Sequence, residues 1–266
     1  MKKIIAVLLV AGLCFSTVTA AKKSKKAKKA EVKITGIADL EGKKIGCQSG
    51  TTGETWVSEN VKDVKLSSFK SAIDAALDLK AGAIDAVVID ELPAKEIVKR
   101  NSDLVIVRDP YFAENKEEYA IAVKKGNPDL LAQINSTIAV MKENGEYEDL
   151  VNAFMPTDGK IVIPTVEAVS SDTVLKLGTN AAFPPFEYVN GRDVVGFDIT
   201  MGQKIALKGG QKLQVVDMAF DSLIPALQAE TIDFIAAGMS VTEERKKNVD
   251  FSDPYFASEQ VIIVRK

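Results

Sequence analysis

Gly238-Met239-Ser240-Val241-Thr242-Glu243-Glu244-Arg245 closes the apolar run Ile232 to Ala237 and precedes Asp253-Pro254-Tyr255-Phe256. This order reads as the end of a buried strand, a turn and the start of a helix. Ser240, followed three residues later by Glu243, has the spacing of a capping box, which directs first-turn N–H groups at whatever lies ahead of the helix. Arg245, one turn further in, offers a planar fork of donors that matches a carboxylate bidentately. The stretch is therefore a candidate seat for a small carboxylate. An N-cap serine and a solvated arginine on a surface helix is the plainer reading, and these eight residues do not choose between the two.

Outward from this stretch, strands alternate with helical segments. A short apolar strand, Lys43 to Cys47, runs into Gln48-Ser49-Gly50-Thr51-Thr52-Gly53-Glu54-Thr55, where Thr51 and Glu54 form a second capping box ahead of a helix reaching Val61. A strand near Val64 to Phe69, a helix from Ser71 to about Ala81 and a buried strand from Ile84 to Ile89, ending in Asp90, follow. Such alternation predicts βαβ units around a parallel sheet, whose ligands sit beyond the carboxyl ends of the strands, where Gln48 to Thr52 and Asp90 fall. Asp109-Pro110-Tyr111-Phe112-Ala113 recurs as Asp253-Pro254-Tyr255-Phe256-Ala257, and Phe69-x-Ser71-x-Ile73 as Phe220-x-Ser222-x-Ile224. These echoes point to two similar α/β lobes, unless they arise by chance. Residues 127–154 read as helix, broken near Asn144-Gly145, and Met155 to Asp172 as a linker. Beyond it come a strand Val174 to Gly178, an extended loop Asn180 to Tyr188, a helix from Gly196 to about Lys208 and a strand Leu213 to Val216.

The chain has 266 residues, 46% hydrophobic and 27% charged, the make-up of a globular protein. It has no histidine, which excludes Ser-His-Asp and Cys-His nucleophile systems and His-ligated metals. Cys14 and Cys47 are too few for a disulfide framework. Residues 1–20 carry Lys2-Lys3, an apolar run from Ile4 to Phe15 and small residues near Val18-Thr19-Ala20, the pattern of a cleavable secretory signal. The mature chain is therefore expected outside the cytoplasm, in the periplasm or secreted. A lipid anchor on Cys14 is disfavoured by bulky Leu13. The formal charge of −3 includes eight lysines and no acid in residues 1–30, so residues 31–266 carry −11, which argues against nucleic acid as a partner. Residues 21–30 read as a lysine-rich spacer, with attraction to anionic lipid or envelope polymer as the sharper alternative.

Gly178-Thr-Asn-Ala-Ala-Phe-Pro-Pro-Phe-Glu-Tyr188, Val195-Gly-Phe-Asp198, Ala219-Phe-Asp-Ser-Leu-Ile-Pro-Ala-Leu227, Ala237-Gly-Met-Ser-Val-Thr-Glu-Glu-Arg245 and Val249-Asp-Phe-Ser-Asp-Pro-Tyr255 closely resemble the opening half of the extracytoplasmic amino-acid-binding proteins of ABC importers, solute-binding protein family 3. Leu40 to Gly53 and Ile84 to Asp90 resemble that family's closing half. The order is reversed, so the chain looks circularly permuted. The resemblance implies a type II periplasmic-binding-protein-like α/β fold of two lobes, each a mostly parallel sheet flanked by helices. It places one lobe at residues 31–112 plus 260–266, hinges at 113–117 and 255–259, the other lobe at 118–254, and an exposed permutation linker at 155–172. Both Asp-Pro-Tyr-Phe-Ala copies should fall at the lobe crossings.

By the same resemblance the protein is not an enzyme and needs no cofactor or metal. It would be a monomer that captures a free L-amino acid by Venus-flytrap hinge closure and hands it to an ABC-transporter permease. Arg245 and the N–H of Ser240 would hold the α-carboxylate, with the Thr51-Thr52 turn approaching from the other lobe. Asp90 would take the ammonium, aided by the Gly238 carbonyl and the Ser240 hydroxyl. Phe183 and Phe220 would sandwich the ligand, while Asn180 and Gln48 would face its side chain. Read without the resemblance, Phe183 packs a core beneath the Pro-Pro loop and Asp90 caps the helix after it. Cys47 reads as a buried small residue, while by the resemblance Glu187 matches a structural family residue rather than a catalytic acid. No second carboxylate is evident in the side-chain sleeve, which argues against a strict arginine or lysine specialist. A dehydratase-like enzyme on the same fold, or a surface sensor of amino acids, are the alternatives.

Overall fold

The computed structural model describes residues 33–167 and 169–266, so the signal-like segment 1–20 and the spacer 21–30 lie outside the described residues. Val-, Ile- and Ala-rich central runs, flanked by partly exposed edge strands such as Lys65–Phe69 and Lys212–Asp217, build two five-stranded sheets. The first has the order Lys65–Phe69, Lys44–Gln48, Ala86–Asp90, Gln260–Arg265, Leu104–Val107. Its first three strands are parallel, linked by the helices Thr52–Asn60 and Ala72–Ala81. Gln260–Arg265 enters antiparallel to both of its neighbours. All five residues of Ala86–Asp90 are buried, as are the first five of Gln260–Arg265, which is what a central strand covered on both faces requires.

The second sheet repeats this plan: Lys212–Asp217, Val174–Thr179 and Phe234–Ile235 are parallel, followed by Ala122–Lys124, antiparallel to its neighbours, and Val249–Phe251. In each sheet the reversed strand continues a segment that passes between the sheets. These segments, Glu117–Tyr119 and Phe256–Ser258, pair antiparallel as a two-stranded ribbon. Beneath the ribbon, Tyr119, Phe186, Phe197, Tyr255 and Phe256 pack as a column of rings with centroids 5.0 to 6.4 Å apart. Such edge-on and tilted contacts add about 0.5–1.5 kcal/mol per pair beyond area burial.

The helical stretch before the linker divides as its sequence predicts, into Pro128–Glu143 and Glu146–Phe154, with Gly145 at φ +86° between them. Residues 155–172 form no helix or strand, and none of those described is buried. Val162 N–H donates to Ala153 O, and Lys99 Nζ to Gly159 O at 3.4 Å.

Four local expectations change. Asn180 to Tyr188 is not a plain loop: Ala182–Phe183 pairs with Glu187–Asn190, which pairs in turn with Asp193–Val195. The run Ile232 to Ala237 contributes only Phe234–Ile235 to the ladder. The helix that carries Arg245 is four residues long, Glu243–Lys246, and its cap is Thr242, whose hydroxyl accepts from Arg245 N–H; Ser240 caps nothing. Finally, the Asp-Pro-Tyr-Phe-Ala echo is not an echo in space. Asp109 caps Tyr111 N–H and Pro110 opens the short helix Pro110–Glu114, whereas the second copy is drawn straight by Tyr255 N–H donating to Tyr119 O at 2.9 Å.

Candidate functional site

All ten residues singled out from the sequence line one cavity of about 20 Å³, joined there only by Glu187 and Ala237. It is roughly large enough for one or two ordered waters. A wider groove of about 750 Å³ opens beside it and shares Thr52, Phe220 and Arg245 with it.

From the first sheet come strand ends and a helix start. Gln48 and Asp90 are the last residues of their strands, and Thr51 caps the helix Thr52–Asn60 by accepting from Glu54 N–H at 3.3 Å while donating to Gln48 O at 2.7 Å. From the second sheet come Asn180, tied to Met218 O at 2.7 Å, Phe183, Phe220 in a single 3₁₀ turn, and the loop Gly238 to Arg245. Gly238 sits at φ +52°, and a Cβ there would lie 2.7 Å from the Phe183 ring, so the loop reaches the cavity only with glycine at this point.

Asp90 is 7% exposed. Tyr119 Oη donates to its Oδ1 at 2.6 Å and Ser258 Oγ to the same atom at 2.9 Å, which leaves Oδ2 for another donor. Burial, and then the nearby charge of Glu117, push its carboxyl up to about 6. Asp90 stands at the N-cap position of the helix Glu91–Arg100 yet makes no capping bond, so the plain capping reading fails.

Arg245 directs Nη1 to Ser240 O at 2.7 Å and Nη2 to Gly50 O, across the cleft, at 3.0 Å; its guanidinium lies 5.3 Å from the centre of the Phe220 ring. That ring stacks on the cation as well as lining the cavity. The Ser240 peptide is set by its neighbours: Ala120 N–H donates to Met239 O and Val241 N–H to Glu118 O, so the N–H of Ser240 itself has no partner among the described residues. Gln48 Nε2 donates to Asn180 Oδ1 at 2.8 Å, so the two side-chain candidates meet each other across the cleft, as do Ser49 and Asp221 at 3.1 Å. Phe183 both lines the cavity and stacks on Phe186, 6.0 Å away, so its packing and lining roles coexist.

Behind Gly238 lie two fully buried carboxyls, Glu187 and Asp198. Asp198 Oδ2 accepts from Gly238 N–H at 2.8 Å and from Tyr255 Oη at 2.7 Å. Its Oδ1 and both Glu187 oxygens lack an N–H or O–H donor, and burial raises both carboxyls, Asp198 to about 6 and Glu187 well above its ordinary range. A proton shared between the two side chains is the one donor that can reach these oxygens, and burial favours it on Glu187. Cys47 is buried and its thiol is pushed up to about 12, an inert core group.

Sequence reasoning missed Glu117, Tyr119, Ser258 and Gln260. Glu117 accepts from Thr52 Oγ1 at 2.6 Å and from Ser240 Oγ, and Gln260 Nε2 approaches it at 3.4 Å. Two further carboxyls stand close to the cavity: Glu117, directly behind two cleft hydroxyls, and Glu187, which lines it. The available signal was position: polar residues placed where the chain crosses between sheets. Among the described residues no group of acidic or cysteine side chains is arranged to hold a metal, and no helix is long and apolar enough to cross a membrane.

The sequence profile of the bacterial extracellular solute-binding proteins, family 3, matches residues 175–266. Among curated proteins, this chain is similar to the arginine-binding extracellular protein ArtP of Bacillus subtilis (strain 168), 45% identical over 92 residues that make up 35% of this chain and 36% of that one. It is also similar to the L-cystine-binding protein TcyJ of Escherichia coli (strain K12), 35% identical over 120 residues, 45% of this chain and 44% of that one. The chain thus matches less than half the length of these relatives. Among solved structures it is similar to the arginine-bound form of domain 1 from TmArgBP, with 44% identity, 38% of this chain and 87% of that chain covered, and a TM-score of 0.32.

Proposed function

We propose that this protein is a family 3 extracytoplasmic receptor that captures a free amino acid between two lobes and delivers it to an ABC importer. The observation that carries this reading is the convergence of one buried carboxylate, Asp90, and one arginine, Arg245, on a single cavity between two sheets joined by a two-stranded ribbon. A zwitterion needs that pair of opposite seats, and each charge is best compensated when the sheets come together around it. Arg245 and the N–H of Ser240 serve the α-carboxylate, and Asp90 Oδ2 and the Gly238 carbonyl serve the ammonium. Phe183 and Phe220 close the sides, and Asn180, Gln48, Thr51 and Thr52 frame the rest.

In this reading residues 1–20 are the export signal, 21–30 a spacer, 31–112 with 260–266 one lobe, and 118–254 the other, moving about 113–117 and 255–259. The family order of lobes is permuted, with 155–172 joining what are elsewhere the two ends, and the receptor acts as a monomer. Charge favours a ligand with net positive charge. Among the described residues around the cleft, Asp90, Glu117 and Asp198 stand against Arg245 alone, and a cationic amino acid reduces the buried imbalance where a neutral one leaves it. The relatives named for arginine and cystine make those the first two ligands to try.

Thermal unfolding of the mature protein with each of the twenty amino acids and L-cystine tests the reading, because a ligand held only by the folded state raises the midpoint. A rise with one or a few, L-arginine foremost, is expected. No rise with any, before and after refolding from denaturant to strip a retained ligand, would remove it.

A further inference from the structure

Glu117 lies on the ribbon and takes a hydrogen bond from each side of the cleft. Its Oε2 accepts from Thr52 Oγ1, at the start of a first-sheet helix, and from Ser240 Oγ, on the second-sheet loop that leads to Arg245. It does not line the small cavity; it faces the wider groove on the far side of those two hydroxyls. A hydroxyl has one proton and two lone pairs. With both protons committed to a carboxylate, Thr52 and Ser240 have only lone pairs left to offer a molecule in the cavity.

We infer that Glu117 is a positioning residue that fixes the polarity of these two hydroxyls, making them acceptors for the ligand's ammonium and withdrawing them as donors to its carboxylate. This rests on the amino-acid reading and divides its groups: the α-carboxylate is left to Arg245 and the Ser240 N–H, while the ammonium meets Asp90 Oδ2 and the Ser240 hydroxyl. The environment of Glu117 is built to hold it in place. Gln260, 3% exposed, turns Nε2 towards both Glu117 Oε1, at 3.4 Å, and Thr52 Oγ1, at 3.5 Å, and leaves its own Oε1 buried without a partner. A glutamine at 117 could put its amide oxygen where Oε2 stands and its NH₂ towards a flipped Gln260, keeping both hydroxyls as donors to residue 117; an alanine could not.

Two measurements decide it. Neutron diffraction from crystals of the mature protein in D₂O reads the hydroxyls directly: deuterons of Thr52 Oγ1 and Ser240 Oγ pointing at Glu117 are expected, and a deuteron of either aimed into the cavity overturns the assignment. Calorimetry with L-arginine and with 5-guanidinopentanoate, which keeps the carboxylate and lacks the α-ammonium, then reads the consequence. Glu117→Ala should weaken L-arginine binding at least about tenfold and leave 5-guanidinopentanoate unchanged or tighter, with Glu117→Gln restoring most of the loss. Equal weakening of both ligands by Glu117→Ala would mean a merely structural role and sink the inference. Failure of the unaltered protein to bind L-arginine would count against the cationic ligand, not against the polarity, which the neutron map decides independently.

Discussion

Asp90 and Asp198 accept from tyrosine hydroxyls of the two crossing segments, Tyr119 at 2.6 Å and Tyr255 at 2.7 Å, and burial pushes both carboxyls up to about 6. They differ in the remaining bonds. Asp90 receives its second donor, Ser258 Oγ, on the oxygen already bonded to Tyr119, and itself lines the cavity. Asp198 gives the same two-donor oxygen to Tyr255 and to the Gly238 N–H, and sets its second oxygen against Glu187 in the interior. Similar burial and similar partners thus leave one carboxylate lining the cavity and the other holding the loop that presents Gly238 and Arg245. Proximity to a cavity and a raised pKa do not by themselves separate the two; under the proposed function it is the second oxygen that does.

The widest test of this contrast is removal of charge at the seats. Asp90→Ala and Arg245→Ala should fold and bind at least ~30-fold more weakly, a loss of about 2–5 kcal/mol by calorimetry. Retained affinity in both variants would end the assignment. Asp198→Ala should instead act on the fold. It strands the buried Gly238 N–H and Tyr255 Oη, so urea denaturation should show a loss of about 2–4 kcal/mol. A variant as stable as the parent would mean that Asp198 does not support the loop.

A titration sharpens the comparison. Because the folded carboxyl of Asp90 is raised to about 6, it is largely protonated at pH 5 and gives no charge to an ammonium, so affinity should fall about tenfold from pH 7 to pH 5, and Asp90→Asn should flatten that profile. Stability runs the other way. A carboxyl whose folded value is raised binds more protons in the folded state, so its contribution is fully present below the unfolded value near 4 and is lost as pH rises through about 6. The ligand-free protein should therefore lose part of its stability across that window, with Asp198→Asn removing part of the slope. The smallest effect belongs to the cleft rim: Ser49→Ala breaks only an exposed bond to Asp221, and should change affinity less than about fivefold in a competition assay.

How much of this was legible depended on how local each signal was. Strands and helices followed from apolar runs, from Thr51 ahead of Glu54 and from Gly145 between two helical patterns, all of which act within a few residues. Resemblance gave the ten cavity residues, since motifs carry spacing along the chain. What escaped were features created by the meeting of distant segments. Glu117 owes its place to Thr52 and Ser240, separated from it by 65 and 123 positions, and nothing in Asn115 to Glu118 announces either partner. The two Asp-Pro-Tyr-Phe-Ala copies erred in the other direction. Identical residues became a helix in one and a strand in the other, because only the second has Tyr119 beside it to pair with. Ser240 likewise matched a capping pattern that Thr242, nearer the short helix, takes over.

The position of Gln260–Arg265 between Ala86–Asp90 and Leu104–Val107 imposes an order of assembly. Residues 44–107 are synthesised early, yet the sheet they belong to lacks its fourth strand until residues 260–265 have been made. The second sheet, whose strands all fall within residues 122–251, has its full set sooner. The half of the molecule that emerges first is therefore the half that closes last, with Asp90 uncovered on one side until Gln260 arrives opposite it in the register.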